Sequence, residues 1–379
     1  DACLVGSEMC IRDSFNTQGK MNKRQTIFFD VQELYYLPQY LPVYKELQKE
    51  NVFDSKFIFH RGKFDDLIKK IIQDECLPTT WVQDKNHALK FYLKEKPNWI
   101  FLGNTFPELD KIHIHSKTAQ LGHGVGPKKS YYSKSDTPTT VRFVESDYRF
   151  KRLCEMYPED NFQNVGFCKM DPIINGEENG IDFTKLGFDN NKKTILYAPT
   201  FYPSSIERFS KNFPADLENY NIIIKPHFFS MSKQKYLKQR ELLHHWESFN
   251  NTYLAKVDDY SLLPYLKSAD LMISDASSAI IEFAALNKPV LWCTFLQLRW
   301  NYRGIFSYRF KARMDKDYDD YGQIARPANS YNEMIKQAKN LLDSNFTLSN
   351  QANEYLKKLA GTLDGNASKR IVTFLLENC

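Results

Sequence analysis

The sequence lacks any long uninterrupted apolar run, and this absence excludes one class of protein at the outset. A membrane-spanning helix needs about 18 consecutive apolar residues, and no segment of the 379-residue chain has them. The N-terminus also lacks the basic start and following apolar stretch of a secretory signal peptide. We therefore predict a globular protein of the cytoplasm.

Cysteine pairs at short spacing are missing as well. The seven cysteines are an odd number, and none of them belongs to a CxxC motif. Such a scatter is typical of a reducing compartment and argues against a disulfide framework or a zinc site.

A large excess of charge of one sign is also missing, because 51 Lys and Arg residues are balanced by 46 Asp and Glu residues. A net charge of +5 is too small to predict nucleic acid as a partner.

What is present is a repeated alternation of short apolar runs with amphipathic stretches, starting near Thr26. This pattern is typical of parallel sheets with crossover helices. Turn-forming pairs interrupt it between Gly166 and Gly187. The length also favours two domains. We predict an α/β fold that resembles the GT-B architecture, with two Rossmann-like domains that face each other across a cleft.

The predicted domains are residues 21–172, on the acceptor side, and residues 185–379, on the nucleotide side and including the C-terminal helices. Residues 1–20 have neither a helical nor a strand period and are predicted to be a non-native leader. Ligands of such sheets bind beyond the carboxyl ends of the strands. The residues at predicted strand ends are therefore the candidates for a site.

A histidine flanked by glycines follows a predicted strand of the first domain. The motif is Gly122-His123-Gly124, and Lys128 and Lys129 come shortly after it. An imidazole on such a backbone can approach a ligand closely, and His123 is placed to act as a general base toward an acceptor hydroxyl. Gly124, Lys128 and Lys129 are then acceptor-side residues. The alternative is a turn histidine with solvated lysines.

Cations and hydroxyl groups follow predicted strands of the second domain. Lys225 and His227 come directly after one strand, and both can donate hydrogen bonds to phosphate oxygens. Asp275, Ser277 and Ser278 join another strand to a helix, whose free backbone amides favour a phosphate. In the alternative interpretation Asp275 and Ser277 only cap this helix.

Glu282 lies one helical turn beyond Ser278, where its carboxylate can accept hydrogen bonds from ribose hydroxyls. The alternative is a solvated or paired surface acid.

Other titratable residues carry weaker signals. His60 and His87 have no partner at a recognisable spacing. The acidic stretch 315–319 resembles a DxD metal motif, but it lies in a polar loop and not at a strand end, so we expect no metal ion there. The basic stretch Lys233–Arg240 is interpreted as a solvated face in preference to a membrane-surface contact.

Taken in order, these motifs resemble the CDP-glycerol glycerophosphotransferase family, whose enzymes build teichoic-acid-like poly(polyol phosphate) chains. The resemblance extends from about Gln120 to Arg370. It is carried by Gln120–Lys128, Gly166–Asp171, Tyr197–Phe201, Pro226-His227, Asp275–Ser278, Arg303-Gly304 and Asp364–Arg370. Ala276 stands where the family has tyrosine, and Cys168 and Lys169 stand where it has proline and arginine. These departures concern the substrate more than the fold.

The resemblance implies transfer of glycerol phosphate, or a similar polyol phosphate, from a CDP-activated donor to a hydroxyl of a cell-surface polymer or lipid-linked acceptor. His123 and His227 are the catalytic candidates. The donor-binding candidates are Lys225, Asp275, Ser277, Ser278, Glu282, Thr200 and Arg303. No cofactor or metal is expected, because lysine, histidine and a helix start can hold a pyrophosphate. A membrane surface is a further candidate partner, which would place the protein at the inner face of the membrane.

Three alternatives stay open from the residues. One is a GT-B nucleotide-sugar glycosyltransferase, and another is a UDP-sugar 2-epimerase-like isomerase. An epimerase is expected to present several carboxylates in its cleft, and Glu282 is the one that the sequence offers. The third is a non-catalytic nucleotide-sugar binding module.

Overall fold

The structure is a computed structural model that describes residues 24–122, 124–126, 128–298 and 316–378. Seven strands form the first sheet of this described part: β1 Gln25–Val31, β2 Phe53–His60, β3 Thr79–Val82, β4 Trp99–Leu102, β5 Lys117–Leu121, β6 Val141–Val144 and β7 Phe162–Asn164. Their spatial order is β3-β2-β1-β4-β5-β6-β7. The helices between them are α1 Leu37–Leu47, α2 Asp65–Asp74, α3 Lys85–Glu95, α4 Leu109–His113 and α5 Asp147–Met156.

A short helix, α6 Asp171–Ile174, lies in the segment that leads to the second sheet. The strands of that sheet are β8 Thr194–Ala198, β9 Asn221–Ile224, β10 Thr252–Leu254, β11 Leu271–Ser274, β12 Val290–Cys293 and β13 Arg326–Ala328, in the order β10-β9-β8-β11-β12-β13. The helices described after α6 are α7 Phe228–Ser232, α8 Leu237–Glu247, α9 Leu263–Ser268, α10 Ser278–Ala284, α11 Tyr331–Asp343, α12 Asn350–Ala360 and α13 Ala367–Glu377.

Both sheets are parallel and covered on both faces, which explains the continuous apolar runs of their central strands. In β1, the side chains of Ile27 and Phe29 enter one core, whereas Phe28 enters the core on the opposite face. In β8, Ile195 and Leu196 divide in the same way between two cores. The predicted α/β fold with two Rossmann-like sheets is confirmed.

The last helix returns to the first sheet. The side chains of Ile371, Val372 and Leu375 in α13 are buried in the core that contains β1 and α1. By contrast, α11 and α12 pack on the two cores of the second sheet. The sequence assigned all of the C-terminal helices to the second domain, so the packing of α13 differs from that assignment. The proposed domain limits themselves stay predictions.

Two of the segments that resemble family motifs meet where the chain returns. The Asp171 carboxylate accepts hydrogen bonds from the backbone amides of Ser368, at 2.7 Å, and Ala367, at 3.4 Å. Arg370 donates to the carbonyl oxygen of Val165, at 2.9 Å. Burial raises the pKa of the Asp171 carboxyl. This contact, which we call the crossing, therefore gives the segments Gly166–Asp171 and Asp364–Arg370 a structural role.

Gly361, close to the crossing, offers a test of how tightly the two sheets are joined. Its φ is +73°, and a Cβ atom there would lie 1.8 Å from the carbonyl oxygen of Glu145. Gly187 has a nearly identical φ of +72° with no atom within 4 Å of the added Cβ. Gly187 has a ψ of 20°, and this left-handed conformation costs an alanine about 1–2 kcal/mol. The ψ of −161° at Gly361 belongs to a region essentially confined to glycine, so alanine is penalised there by its backbone as well as by the close approach. We expect Gly361→Ala to lower the thermal unfolding midpoint by several degrees more than Gly187→Ala. Equal shifts in the two variants would show that the close approach of Gly361 to the Glu145 carbonyl oxygen does not contribute to stability.

Candidate active site

The candidate donor residues lie at one edge of the second sheet, beyond the carboxyl ends of its strands. Thr200 follows β8, Lys225 and His227 follow β9, and Asp275 and Ser278 follow β11. These three strands are direct neighbours, since β8 pairs with both β9 and β11. The structure therefore brings together residues that are up to 78 positions apart in the chain.

Asp275 lies beneath this edge. Its side chain is fully buried, and Oδ2 accepts hydrogen bonds from the backbone amides of Thr200, at 2.9 Å, and Ser205, at 3.3 Å. The Thr200 hydroxyl lies 3.2 Å from the same oxygen. Burial raises the pKa of the Asp275 carboxyl to about 6. The sequence predicted a donor contact for Asp275, whereas the structure places it as a support of the loop that carries Thr200.

His227 is a neutral hydrogen-bond donor in this arrangement. Burial, together with the nearby charges of Lys128, Lys225 and Lys233, lowers the pKa of His227 to about 4. Its Nδ1 accepts a hydrogen bond from the backbone amide of Phe229, at 3.1 Å, so the proton of the neutral ring is on Nε2. The ring therefore presents one N–H group of fixed orientation.

Lys225 supplies a positive charge that is partly removed from water. Burial lowers the pKa of Lys225 to about 8, against the opposing effect of Asp259 and Asp258. Asp258 forms its ion pair with Lys70, on α2 of the first domain. Within the described ranges, Lys225 has no carboxylate within 4 Å. A partly buried cation without a carboxylate partner favours binding of an anion.

The loop after β5 brings the first domain close to His227 and Ser278 of the second domain. The charge of Lys128 lowers the pKa of His227, although the two residues belong to different domains. A Cβ atom on Gly124 would lie 2.8 Å from the Tyr131 hydroxyl and 3.5 Å from the Ser278 Oγ. Arg142 donates hydrogen bonds to the carbonyl oxygens of Tyr131 and Ser133 and so holds the loop on the first sheet. Acceptor-side and donor-side motifs thus meet at Ser278.

The two serines at the start of α10 have different environments. The Ser277 Oγ accepts from the backbone amide of Ala279, at 3.1 Å, and is the N-cap of the helix. The Ser278 Oγ has no hydrogen-bond partner among the residues that the structure describes. Because α10 has only seven residues, its dipole is a weaker attraction for a phosphate than the sequence implied. Of the two hydroxyls, that of Ser278 remains for a ligand.

Glu282 is not open to a ribose. Its side chain is fully buried, and its Oε2 is 2.7 Å from the Nζ of Lys169. The expected contact with ribose hydroxyls is replaced here by an ion pair between α10 and the segment that precedes α6. Of the sequence alternatives for Glu282, the paired acid describes its position.

Some predicted residues are exposed or lie outside the described part of the chain. Lys129 is exposed on a short helical turn, Lys129–Tyr132. His123 and Arg303 lie outside the described residues, as do residues 1–20. Among the described residues, no group of three or more His, Cys, Asp or Glu side chains is arranged to hold a metal ion. Metal-free donor binding stays a prediction.

No helix in the described part of the chain is long and apolar enough to cross a membrane.

Sequence reasoning missed residues on both sides of the cleft. Lys233 is exposed, as predicted for its stretch, but its ammonium also lies 3.5 Å from the ring centroid of Phe229 and lowers the pKa of His227. His60 was set aside for want of a partner, yet its Nε2 is 2.6 Å from Asp30. The available signal was topological, since Asp30 and His60 lie near the carboxyl ends of adjacent strands.

Two Rossmann-like sheets with their candidate residues at facing carboxyl ends define a protein of the GT-B fold. Two solved structures have a similar fold. The wall teichoic acid polymerase TagF matches with a TM-score of 0.62 and 15% identity over 94% of this chain and 89% of that chain. UDP-GlcNAc 2-epimerase from Neisseria meningitidis matches with a TM-score of 0.57 and 14% identity over 94% and 100% of the two chains. At these identities the likeness establishes the fold.

The family is established by sequence. The profile of the CDP-glycerol:poly(glycerophosphate) glycerophosphotransferase family matches residues 13–377, so the chain belongs to this family. It is 28% identical over 226 residues to the teichoic acid glycerol-phosphate primase of Bacillus spizizenii, covering 58% of this chain and 52% of the relative. It is 24% identical over 364 residues to the teichoic acid poly(ribitol-phosphate) polymerase of that organism, covering 87% and 52%. The chain thus spans about half the length of these two curated relatives.

The meeting of the two domains at Gly124 can be tested with a pair of glycines. A methyl group at Gly124 would press on the Tyr131 hydroxyl and touch the Ser278 Oγ, whereas one at Gly122 has no atom within 4 Å. We expect Gly124→Ala to weaken binding of a CDP-linked donor and Gly122→Ala to leave it within about twofold, as for a surface change without contacts. Isothermal titration with the donor measures both. Equal donor affinity in the two variants would contradict the proposed contact.

The charge of Lys225 predicts a pH dependence of donor affinity. With a pKa of about 8, its ammonium is charged below pH 8 and loses its charge above it, so anion affinity should fall between pH 7 and 9. Lys225→Met should bind the donor about tenfold more weakly at pH 7, the effect of losing one charge-assisted hydrogen bond, and should show no such fall.

Lys288 provides the matched control for this titration. Burial lowers the pKa of Lys288 to about 8 as well, but its ammonium donates to the carbonyl oxygens at the end of α9. Lys288→Met should therefore keep the fall in donor affinity between pH 7 and 9. A fall that persists in Lys225→Met would show that another group controls the donor site.

Proposed function

We propose that this chain transfers glycerol phosphate, or a similar polyol phosphate, from a CDP-activated donor to a hydroxyl of a cell-surface polymer or lipid-linked acceptor. One observation carries the proposal beyond family membership. Lys128 of the first domain and Lys225 of the second lie close enough to His227 for both charges to lower its pKa. Two cations and a neutral N–H donor around one point between the domains suit a pyrophosphate.

The donor pyrophosphate would lie between the domains. His227 would donate its Nε2–H to a phosphate oxygen, and Lys225 and Lys128 would neutralise the remaining charge. The acceptor oxygen attacks the phosphorus that carries the polyol, a new P–O bond forms, and the bond to the CMP oxygen breaks with its electron pair leaving on CMP. Because negative charge grows on CMP in this step, fixed cations there lower the barrier.

The acceptor hydroxyl must lose its proton in the same reaction. The resemblance to the family assigns this proton to His123, which follows β5 in the chain and lies outside the described residues. Tyr131 and Lys128, on the described part of the same loop, place that loop beside Ser278 and His227. We include metal-independent donor binding and contact with a membrane that holds the acceptor in the proposal.

The direct experiment follows the leaving group. The protein is incubated with a soluble glycerol phosphate oligomer and with CDP-glycerol, CDP-ribitol or UDP-GlcNAc in separate reactions, with and without EDTA. We expect CMP release from a CDP donor, growth of the oligomer by one polyol phosphate, and an unchanged rate in EDTA. Epimerisation of UDP-GlcNAc without CMP release would contradict the proposal and favour the isomerase.

The role of His227 is tested in the same assay. His227→Ala removes a donor aimed at the charge that develops, and we expect the rate to fall by about 10²–10³-fold. His245→Ala is the matched control, because His245 is an exposed histidine on α8, and it should keep the wild-type rate. Full activity of His227→Ala would exclude the proposed role.

A further inference from the structure

Asp30 and His60 form a buried polar pair that the proposed reaction does not use. The Asp30 side chain, in β1, is fully buried, and its Oδ1 is 2.6 Å from the Nε2 of His60 at the end of β2. The carboxylate also accepts hydrogen bonds from the Tyr92 hydroxyl, at 2.9 Å, and from the Gln32 amide. No Lys or Arg of the described ranges forms an ion pair with it. Burying a carboxylate in this way costs free energy.

The pair fixes which nitrogen of His60 carries a proton. An ionised carboxylate accepts hydrogen bonds and donates none, so the Nε2 that faces Asp30 is protonated. In the neutral ring, Nδ1 is then a hydrogen-bond acceptor. Within the described part of the chain, no group hydrogen-bonds to Nδ1. Asp30 thus orients an imidazole whose Nδ1 is available to accept a hydrogen bond from the hydroxyl group of a ligand.

His60 lies on the first-domain wall of the cleft. Phe64, four residues further on, packs its ring against Phe228 of α7, with 4.4 Å between the centroids. Glu33, just after β1, interacts electrostatically with both His60 and Lys233. Because Phe228 directly follows His227, the wall that carries His60 lies beside the donor site.

The chemistry of this wall differs from that of the donor site. When the His60 ring is neutral, its Nδ1 and the carboxylate of Glu33 are both hydrogen-bond acceptors. Such a pair suits the hydroxyl groups of a polyol and disfavours a phosphate, which presents acceptor oxygens itself. We propose that His60, oriented by Asp30, binds a hydroxyl of the polyol acceptor through Nδ1. This inference rests on the proposed function and adds an acceptor-binding residue to it.

The variant His60→Gln separates binding from structural support. The Gln amide N–H can replace Nε2–H toward Asp30, so the buried carboxylate keeps a donor, but the acceptor at the place of Nδ1 is lost. His87→Gln is the matched control, because the Nδ1 of His87 is 3.0 Å from the Asp84 Oδ1 in an exposed pair of the same domain. Steady-state kinetics give KM for the glycerol phosphate oligomer, and isothermal titration gives Kd for CDP-glycerol.

For His60→Gln we expect acceptor KM to rise about tenfold, as for one lost hydrogen bond. The donor Kd and the thermal unfolding midpoint should stay as in His87→Gln and the wild-type protein. An unchanged acceptor KM would overturn the inference, and so would parallel losses of stability, donor affinity and acceptor affinity. A tenfold loss confined to the donor would assign His60 to the glycerol of the donor and would also overturn it.

A failure of the proposed function would look different. In that case the wild-type protein would release no CMP. Direct titration of the oligomer into wild-type and His60→Gln protein would still decide the role of His60, with weaker binding by the variant as the expected result and equal binding as the result that contradicts it.

Discussion

The partial desolvation of Lys225 and His227 at the end of β9 is the constraint on which the rest of the site depends. Burial lowers the pKa of both side chains, so the imidazole is neutral and the ammonium keeps its charge at neutral pH with little water to stabilise it. Two acids act on that charge, and both have other partners. Asp259 accepts hydrogen bonds from the Tyr265 hydroxyl and the Lys256 amide, and Asp258 pairs with Lys70 of the first domain. A cation held in this way gains most from an anion that enters the cleft.

The surrounding structure keeps this edge of the sheet in place. Asp275, buried beneath it, fixes the loop after β8 through three hydrogen-bond donors. The ion pair of Lys169 with Glu282 joins α10 to the segment that leads from the first sheet. At the crossing, Asp171 holds the start of α13, whose apolar side chains return to the first core. Several residues that resemble family motifs thus serve the relative placement of the two sheets, and the cleft between them is where the chemistry is proposed.

Much of the fold follows from local pattern. The short apolar runs of the sequence predict strands at Thr79–Val82, Lys117–Leu121, Thr194–Ala198 and Leu271–Ser274, and these are the bounds of β3, β5, β8 and β11. The strands β6, β7 and β13 were not predicted, since they are three or four residues long and carry Arg142, Gln163 or Pro327 within them. Such short mixed segments have no periodicity that separates them from loops.

The site was predictable where it depends on strand ends and not where it depends on tertiary pairing. Lys225, His227 and Ser278 follow buried strands, and parallel topology brings those ends together. The partners of Glu282 and His60 are 113 and 30 residues away in the chain. No spacing rule relates such positions. Lys233 is exposed, as its stretch predicts. Its contact with Phe229 and its effect on the pKa of His227 were not predictable for the same reason, because they arise from the fold of α7.

We propose that a pyrophosphate binds between Lys128 of the first domain and Lys225 and His227 of the second. The most direct measurement is a crystal structure of the protein with CDP-glycerol. We expect pyrophosphate oxygens within hydrogen-bond distance of the His227 Nε2 and the Lys225 Nζ. A pyrophosphate bound instead in the cavity of about 450 Å³ beside β6 and β7, which is lined by Lys151, Arg370 and others, would contradict it.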